Sequence, residues 1–101
     1  MALNFSLKFT TYFERQWLGY GEDTRGLITE KLIILKQNPF RYPTHTGFHR
    51  VHKIKLTLEG KYQRLMYAVF MPDNQTITVL GVFDRSKEYK DFERIFAELR
   101  K

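Results

Sequence analysis

Two lysines and an arginine in the second half of the chain are the residues whose types and spacing most clearly suggest chemistry. Lys53 and Lys55 alternate with apolar residues between Val51 and Leu58, so an extended strand places both on one face, about 6.5 Å apart. Arg64 lies in the next strand-like segment among apolar residues, where a guanidinium needs an anion or a route to solvent. Such cations can bind a phosphate or transfer a proton, and a solvated strand face or a structural ion pair are the alternatives.

The positive charge of the chain is concentrated around these residues. The 101 residues carry a net charge of +6, and the window from Arg41 to Arg64 alone carries +5. A basic window of this kind favours a polyanionic partner such as nucleic acid. The further candidates for RNA contacts in it are Arg41, His49, Arg50, His52 and Lys61.

The overall composition excludes several classes of protein. With 43% hydrophobic and 16% aromatic residues, the chain can bury a core, so we expect one domain over residues 1–101. No apolar run approaches the roughly 20 residues of a membrane span, and no signal-peptide pattern opens the chain, which predicts a cytoplasmic protein. The absence of cysteine excludes disulfides, cysteine-based zinc sites and thiol catalysis. The histidines lie in or beside a proline-containing loop, so we expect no metal and no other cofactor.

Hydrophobic periodicity predicts the first half of the fold. Alternation from Leu3 to Phe9 indicates a strand, and Thr11 with Glu14 fits a capping box that opens a short helix. A second helix starts near Thr24 and stops at the proline that follows Asn38. Its apolar seam is Ile28, Leu32 and Leu35, widened by Leu27 and Ile34. Residues 40–50 have no clear period and are predicted to form a loop.

Three strands and a helix are predicted for the second half. The strands cover residues 51–58, 61–71 and 76–83, and the last is apolar on both faces, as a central strand would be. The order is β-α-α-β-β-β-α, an α+β domain with an antiparallel sheet packed against helices. The final helix carries one apolar stripe, either packed on the sheet or open to a partner, formed by Tyr89, Phe92, Ile95, Phe96 and Leu99.

Several motifs in this order resemble those of the RelE/ParE toxin superfamily. The stretch His52–Leu56 is similar to the family's K-x-K strand, and Gln63–Val69 to its G-x-Y-R-[LV]-x-Y strand. The stretch Val79–Tyr89 is similar to a closing strand that ends in H-R-x-x-x-Y. The similarity extends over nearly the whole chain and implies a small fold of antiparallel strands against helices.

The resemblance also implies an activity and partners. A toxin of this superfamily is held silent by a cognate antitoxin protein. Members of the RelE branch cleave mRNA in the ribosomal A site without a metal, through attack of the ribose 2′-OH on the adjacent phosphate. Members of the ParE branch inhibit DNA gyrase and need not cleave RNA.

Site residues carry over position by position. Lys53 and Lys55 match the lysines that contact phosphate and take part in proton transfer, and Arg64 matches the arginine that stabilises charge on the scissile phosphate. Arg85 matches the closing arginine, and Tyr89 the tyrosine that stacks on or orients the nucleotide. These five residues are the predicted catalytic set.

The chain departs from the family pattern at two positions. Asp84 stands where a histidine usually precedes the closing arginine, and Gln63 stands where a tyrosine usually precedes Arg64. Three hypotheses therefore remain: a ribosome-dependent mRNA endonuclease, a toxin that inhibits gyrase without cleaving RNA, and a basic nucleic-acid-binding domain with a degenerate site.

Overall fold

The protein is described by a computed structural model over residues 5–45, 48–70, 76–84 and 89–99. In these ranges the chain forms a five-stranded sheet and three helices. In chain order the elements are β1 (Ser6–Phe9), α1 (Thr11–Gly19), α2 (Glu22–Gln37), β2 (Thr44–His45), β3 (Phe48–Leu58), β4 (Lys61–Phe70), β5 (Thr76–Asp84) and α3 (Tyr89–Leu99).

The sheet is mixed, with the strand order β1-β5-β4-β3-β2. Strands β2 to β5 pair antiparallel, whereas β1 pairs with β5 in parallel, with Ser6 opposite Thr76. The α+β class is confirmed, and the antiparallel sheet is corrected at β1. Two helices and three strands separate β1 from β5 along the chain, and such a long connection allows the two strands to pair in the parallel sense.

The segment predicted as a loop between Phe40 and Arg50 contains a strand. Thr44 of β2 lies opposite His52, and the backbone N–H of Lys53 donates to the Pro43 carbonyl at 3.0 Å. The register shifts within β2, which holds only two residues. So short a strand has no detectable period, and β3 also begins earlier than the alternation from Val51 indicated.

One face of the sheet, here called the α2 face, is covered by the second helix. Ile28, Leu32 and Leu35 form the predicted seam of α2 and are buried, whereas Leu27, expected to widen it, is exposed. The sheet contributes alternate residues of β3 and β4. The apolar residues of α2, which recur every 3.6 residues, pack against those of the strands, which recur every two residues, in one layer. These residues are Ile54, Leu56, Leu58, Leu65, Tyr67 and Val69.

The opposite face, here called the α3 face, is partly covered by the last helix. Phe92 of α3 is buried and packs edge-to-face on Phe83 of β5, with ring centroids 5.8 Å apart. The described part of the apolar stripe therefore packs on the sheet. The buried residues of this cluster are Val51, Met66, Ala68, Leu80, Phe83, Phe92 and Ile95.

Helix α1 closes the edge of β5 beyond the end of β1. Its N-cap is Thr10, not Thr11, and the Thr10 hydroxyl accepts from the Phe13 N–H at 3.1 Å and donates to the Leu80 carbonyl at 2.7 Å. The amide of Gln16 accepts from the Val82 N–H at 2.8 Å and donates to the Val82 carbonyl at 2.7 Å. A side chain thus replaces the neighbouring strand, so these two backbone groups of the edge are satisfied.

Candidate active site

Three of the predicted catalytic cations lie together on the α3 face. Lys55 of β3 lies directly opposite Arg64 of β4, and Lys53 lies opposite Met66. Directly opposed residues bring their Cβ atoms to about 5 Å, and residues two apart on a strand share a face. The hairpin therefore places both lysines and the arginine in one group, here called the cation cluster.

The members of the cation cluster differ in burial. Arg64 is only 6% exposed and lies between Lys55 and Phe83 in the neighbouring strands. Lys53 is half-buried and Lys55 is exposed. A buried guanidinium has little rotamer freedom and can hold a fixed direction, whereas an exposed ammonium can approach a ligand from solvent.

A histidine not included in the predicted site also belongs to this region. His45 of β2 packs edge-to-face on Phe92, with ring centroids 5.3 Å apart. Burial lowers the pKa of His45 below its usual 6.5, and the charges of Lys53 and Arg64 lower it further, against an opposing effect of Glu93. The imidazole is therefore neutral at pH 7. His45 was hidden in the expected loop, and only its place in the basic window could have indicated it.

His52, predicted to contact RNA, lies on the opposite side of the sheet. It is 6% exposed, and its ring stacks on Tyr67 with centroids 5.3 Å apart and planes 10° apart. Its Nδ1 lies 2.6 Å from the Tyr42 carbonyl; since a carbonyl only accepts, the Nδ1–H must donate. His52 therefore fastens the segment after α2 to the α2 face and is not brought to the cation cluster.

The remaining predicted RNA contacts are dispersed. Arg41, Arg50 and Lys61 are all exposed. Strand alternation assigns Arg50 and Lys61 to the same side as His52, and Arg41 lies in the turn after α2. The backbone of His49 belongs to β3, and its side chain lies outside what the structure describes. Arg41, Arg50 and Lys61 are therefore not placed with the cation cluster.

Comparison with solved structures identifies the fold. A double arginine-to-alanine variant of the E. coli toxin RelE in the free state is 21% identical, with a TM-score of 0.73 and coverage of 98% of both chains. The same variant bound to an antitoxin RelBc peptide is 26% identical, with a TM-score of 0.68 and coverage of 90% of this chain and 94% of that one. The intact E. coli RelBE toxin–antitoxin complex is 23% identical, with a TM-score of 0.68 and coverage of 82% of this chain and 99% of that one. The chain has the RelE fold.

The resemblance seen in the strand motifs is thereby confirmed in three dimensions. No family model matches the sequence, and no curated protein matches it. In this RelE fold the K-x-K strand is β3 and the strand that carries Arg64 is β4.

The stretch that resembles the closing motif of the superfamily is described only in part. Arg85 lies outside the described residues, and so does the side chain of Tyr89, the first residue of α3. Asp84, at the end of β5, lies opposite Gln63, whereas its neighbour Phe83 lies opposite Arg64. Alternation therefore assigns Asp84 to the α2 face, so its carboxylate is not on the face of the cation cluster.

The described ranges contain no group of three or more histidine, aspartate and glutamate side chains that could hold a metal. No helix within them is long and apolar enough to cross a membrane. A groove of about 450 Å³ lies against α1 and α2, and its lining is apolar apart from Glu14 and Thr29.

Proposed function

We propose that this chain is the toxin of a type II toxin–antitoxin system and cleaves mRNA in the ribosomal A site. The observation that carries the proposal is the cation cluster of Lys53, Lys55 and Arg64 on one face of a RelE fold. Lys55 forms no ion pair with any described residue and is exposed. An exposed, un-neutralised ammonium beside a buried guanidinium favours a phosphate as the ligand.

The reaction fits these residues. The 2′-OH oxygen attacks the adjacent phosphorus and the P–O5′ bond breaks, which leaves a 2′,3′-cyclic phosphate and a 5′-OH. Negative charge develops on the non-bridging oxygens, and preorganised donors such as Arg64 and the lysines stabilise it, each by about 3–4 kcal/mol in a well-placed geometry. Arg85 and Tyr89 complete the set through the family resemblance.

Two protons must move during the reaction. The 2′-OH loses one as it attacks, and the departing 5′ oxygen gains one. His45 is the described side chain best suited to accept the first, because burial and the neighbouring cations keep its imidazole neutral. Lys55, protonated and exposed, is suited to donate the second.

A protein antitoxin is the proposed regulator. The solved structures similar to this chain include RelE toxins bound to RelB or to a peptide from it. A chain that cleaves mRNA, as proposed here, is toxic when free, so a tightly binding partner would be needed in the cell.

The test is cleavage of a defined mRNA on purified ribosomes, with the ends of the products mapped. Wild-type protein should produce 2′,3′-cyclic phosphate ends, at a rate that EDTA does not change at levels that leave ribosomes intact. Arg64→Ala should abolish cleavage, and Ile33→Ala, which removes a 55% exposed side chain of α2, serves as the control. Inhibition of gyrase supercoiling without any cleavage would instead assign the ParE-like function. RNA binding without either activity would indicate a nucleic-acid-binding domain.

A further inference from the structure

Tyr62 is an exposed aromatic residue beside the cation cluster. It is 60% exposed on β4, opposite Thr57 of β3. It precedes Arg64 by two residues, so alternation places both on the α3 face. Lys55, the cross-strand partner of Arg64, is then diagonal to Tyr62, a separation of about 7–8 Å that long side chains bridge.

The ring of Tyr62 differs from the other exposed aromatic rings. Phe9 stacks on Phe13 with centroids 5.5 Å apart, and Phe40 packs edge-to-face on Phe5 at 6.0 Å. Within the described part of the chain, Tyr62 contacts no other ring. Its exposed face is therefore available to a planar ligand.

We propose that Tyr62 stacks on a base of the bound mRNA next to the scissile phosphate. The inference rests on the proposed function and deepens it. In single-stranded RNA each base is joined to its phosphates through one ribose, so a strand whose phosphate meets Lys55 and Arg64 presents a base one residue away. Aromatic side chains beside cations on a sheet surface are a common way to bind single-stranded RNA, and stacking tolerates any base.

The position of Tyr62 follows from the length of the hairpin. The turn at Glu59 and Gly60, both with positive φ, joins Leu58 to Lys61 as opposed residues. Tyr62 therefore lies two residues before Arg64, with Gln63 between them. A tyrosine directly before the arginine, the usual family arrangement, would alternate to the α2 face. In this chain the tyrosine is on the same face as the cations.

The experiment measures binding of the protein to ribosomes programmed with an mRNA whose A-site nucleotides are 2′-deoxy and resist cleavage. A series of these mRNAs carries one abasic nucleotide at each A-site position in turn. For wild-type protein, one abasic position should weaken binding about 5- to 150-fold, the factor that corresponds to about 1–3 kcal/mol for one base–aromatic stack. Tyr62→Ala should bind the intact mRNA as weakly as wild type binds the mRNA with that abasic position, and its binding should no longer depend on that position. Tyr62→Phe should resemble wild type.

Two further variants separate stacking from other effects. Lys55→Ala should weaken binding to every mRNA alike and should reduce the slope of the logarithm of affinity against the logarithm of salt concentration by about one. Tyr62→Ala should leave this slope unchanged. Leu18→Ala removes a 77% exposed apolar side chain of α1 and should bind as wild type does.

The outcomes distinguish this inference from the proposed function. Equal abasic sensitivity in wild type and Tyr62→Ala overturns the stacking, as does a Tyr62→Ala protein that loses only its affinity for a protein partner. Cleavage of all-ribose mRNA by wild type, measured in parallel, reports on the proposed function alone. A wild-type protein that binds neither programmed ribosomes nor free RNA overturns both.

Discussion

Lys55 and Arg64 lie directly opposite each other on β3 and β4, the lysine exposed and the arginine 6% exposed. The two cations therefore have different physical roles. The arginine is part of the packed layer beneath α3, where its direction is set by its neighbours, and the lysine adds a charge that solvent and ligand can both reach.

Removal of the exposed charge should affect activity but not folding. Lys55→Met is expected to lower the rate of mRNA cleavage on ribosomes about 100-fold, as loss of one positioned donor does. The free energy of unfolding should stay within about 0.5 kcal/mol of wild type, because the side chain is exposed. Rates of cleavage and urea denaturation curves measure the two effects. An undiminished rate would remove Lys55 from the site.

The pKa of His45 should respond to its charged neighbours. Burial and the cations lower the pKa of His45 below 6.5, so an NMR titration of its ring protons should have its midpoint below that value. Lys53→Met should raise this midpoint and Glu93→Gln should lower it.

The same shift makes stability depend on pH. Because the unfolded chain binds the proton of this imidazole more readily, the contribution of His45 to stability is full above about pH 6.5 and is lost as the pH falls below it. As the pH falls below about 6.5, wild type should therefore lose stability relative to His45→Phe. A wild-type midpoint at or above 6.5 would contradict the structure.

Substitution of His52 should affect folding and not chemistry. His52→Ala removes the stack on Tyr67 and the hydrogen bond to the Tyr42 carbonyl, which together should cost about 2–3 kcal/mol of unfolding free energy. The cleavage rate per folded molecule should be unchanged at a temperature where the variant is folded. A normal denaturation curve with reduced cleavage would return His52 to the RNA-binding surface.

The stability of the β5 edge should depend on the side chain of Gln16. Gln16→Ala leaves both Val82 backbone groups without the amide and should cost about 1–3 kcal/mol. Gln16→Glu keeps the acceptor for the Val82 N–H but loses the donor to the Val82 carbonyl. We therefore expect the Val82 amide to lose less protection against hydrogen exchange in Gln16→Glu than in Gln16→Ala. Native-state hydrogen exchange at Val82 measures this difference, and identical exchange in all three proteins would contradict the role of Gln16.

The sequence predicted well what depends on local period. Alternation put Lys53 and Lys55 on one face of a strand, to which the observed pairing with β4 adds Arg64, and the 3.6-residue period identified Ile28, Leu32 and Leu35. The same alternation applied to His52, one residue before Lys53, already assigned it to the other face. The net charge of the window grouped His52 with the cations, but the two-residue period of the strand decides which face a side chain occupies.

Other features depend on contacts between distant parts of the chain. The strand at Thr44 and His45 exists only through its pairing with β3, so His45, whose pKa is lowered by Lys53 and Arg64, was predicted to lie in a loop. The parallel pairing of β1 with β5 joins residues about 70 positions apart, and no local pattern contains that information. The change from Thr11 to Thr10 as N-cap has the same origin, since the Thr10 hydroxyl also bonds to Leu80.

The closure of the β5 edge by α1 restricts which residues related chains can carry at this edge. Gly81 has a φ of +152°, and a Cβ there would lie 2.8 Å from Cδ1 of Tyr12 and 3.0 Å from Oε1 of Gln16. No side chain can be gained at position 81 while both of these remain where they are. Related chains should therefore carry a side chain at position 81 only where the residues at positions 12 and 16 have also changed.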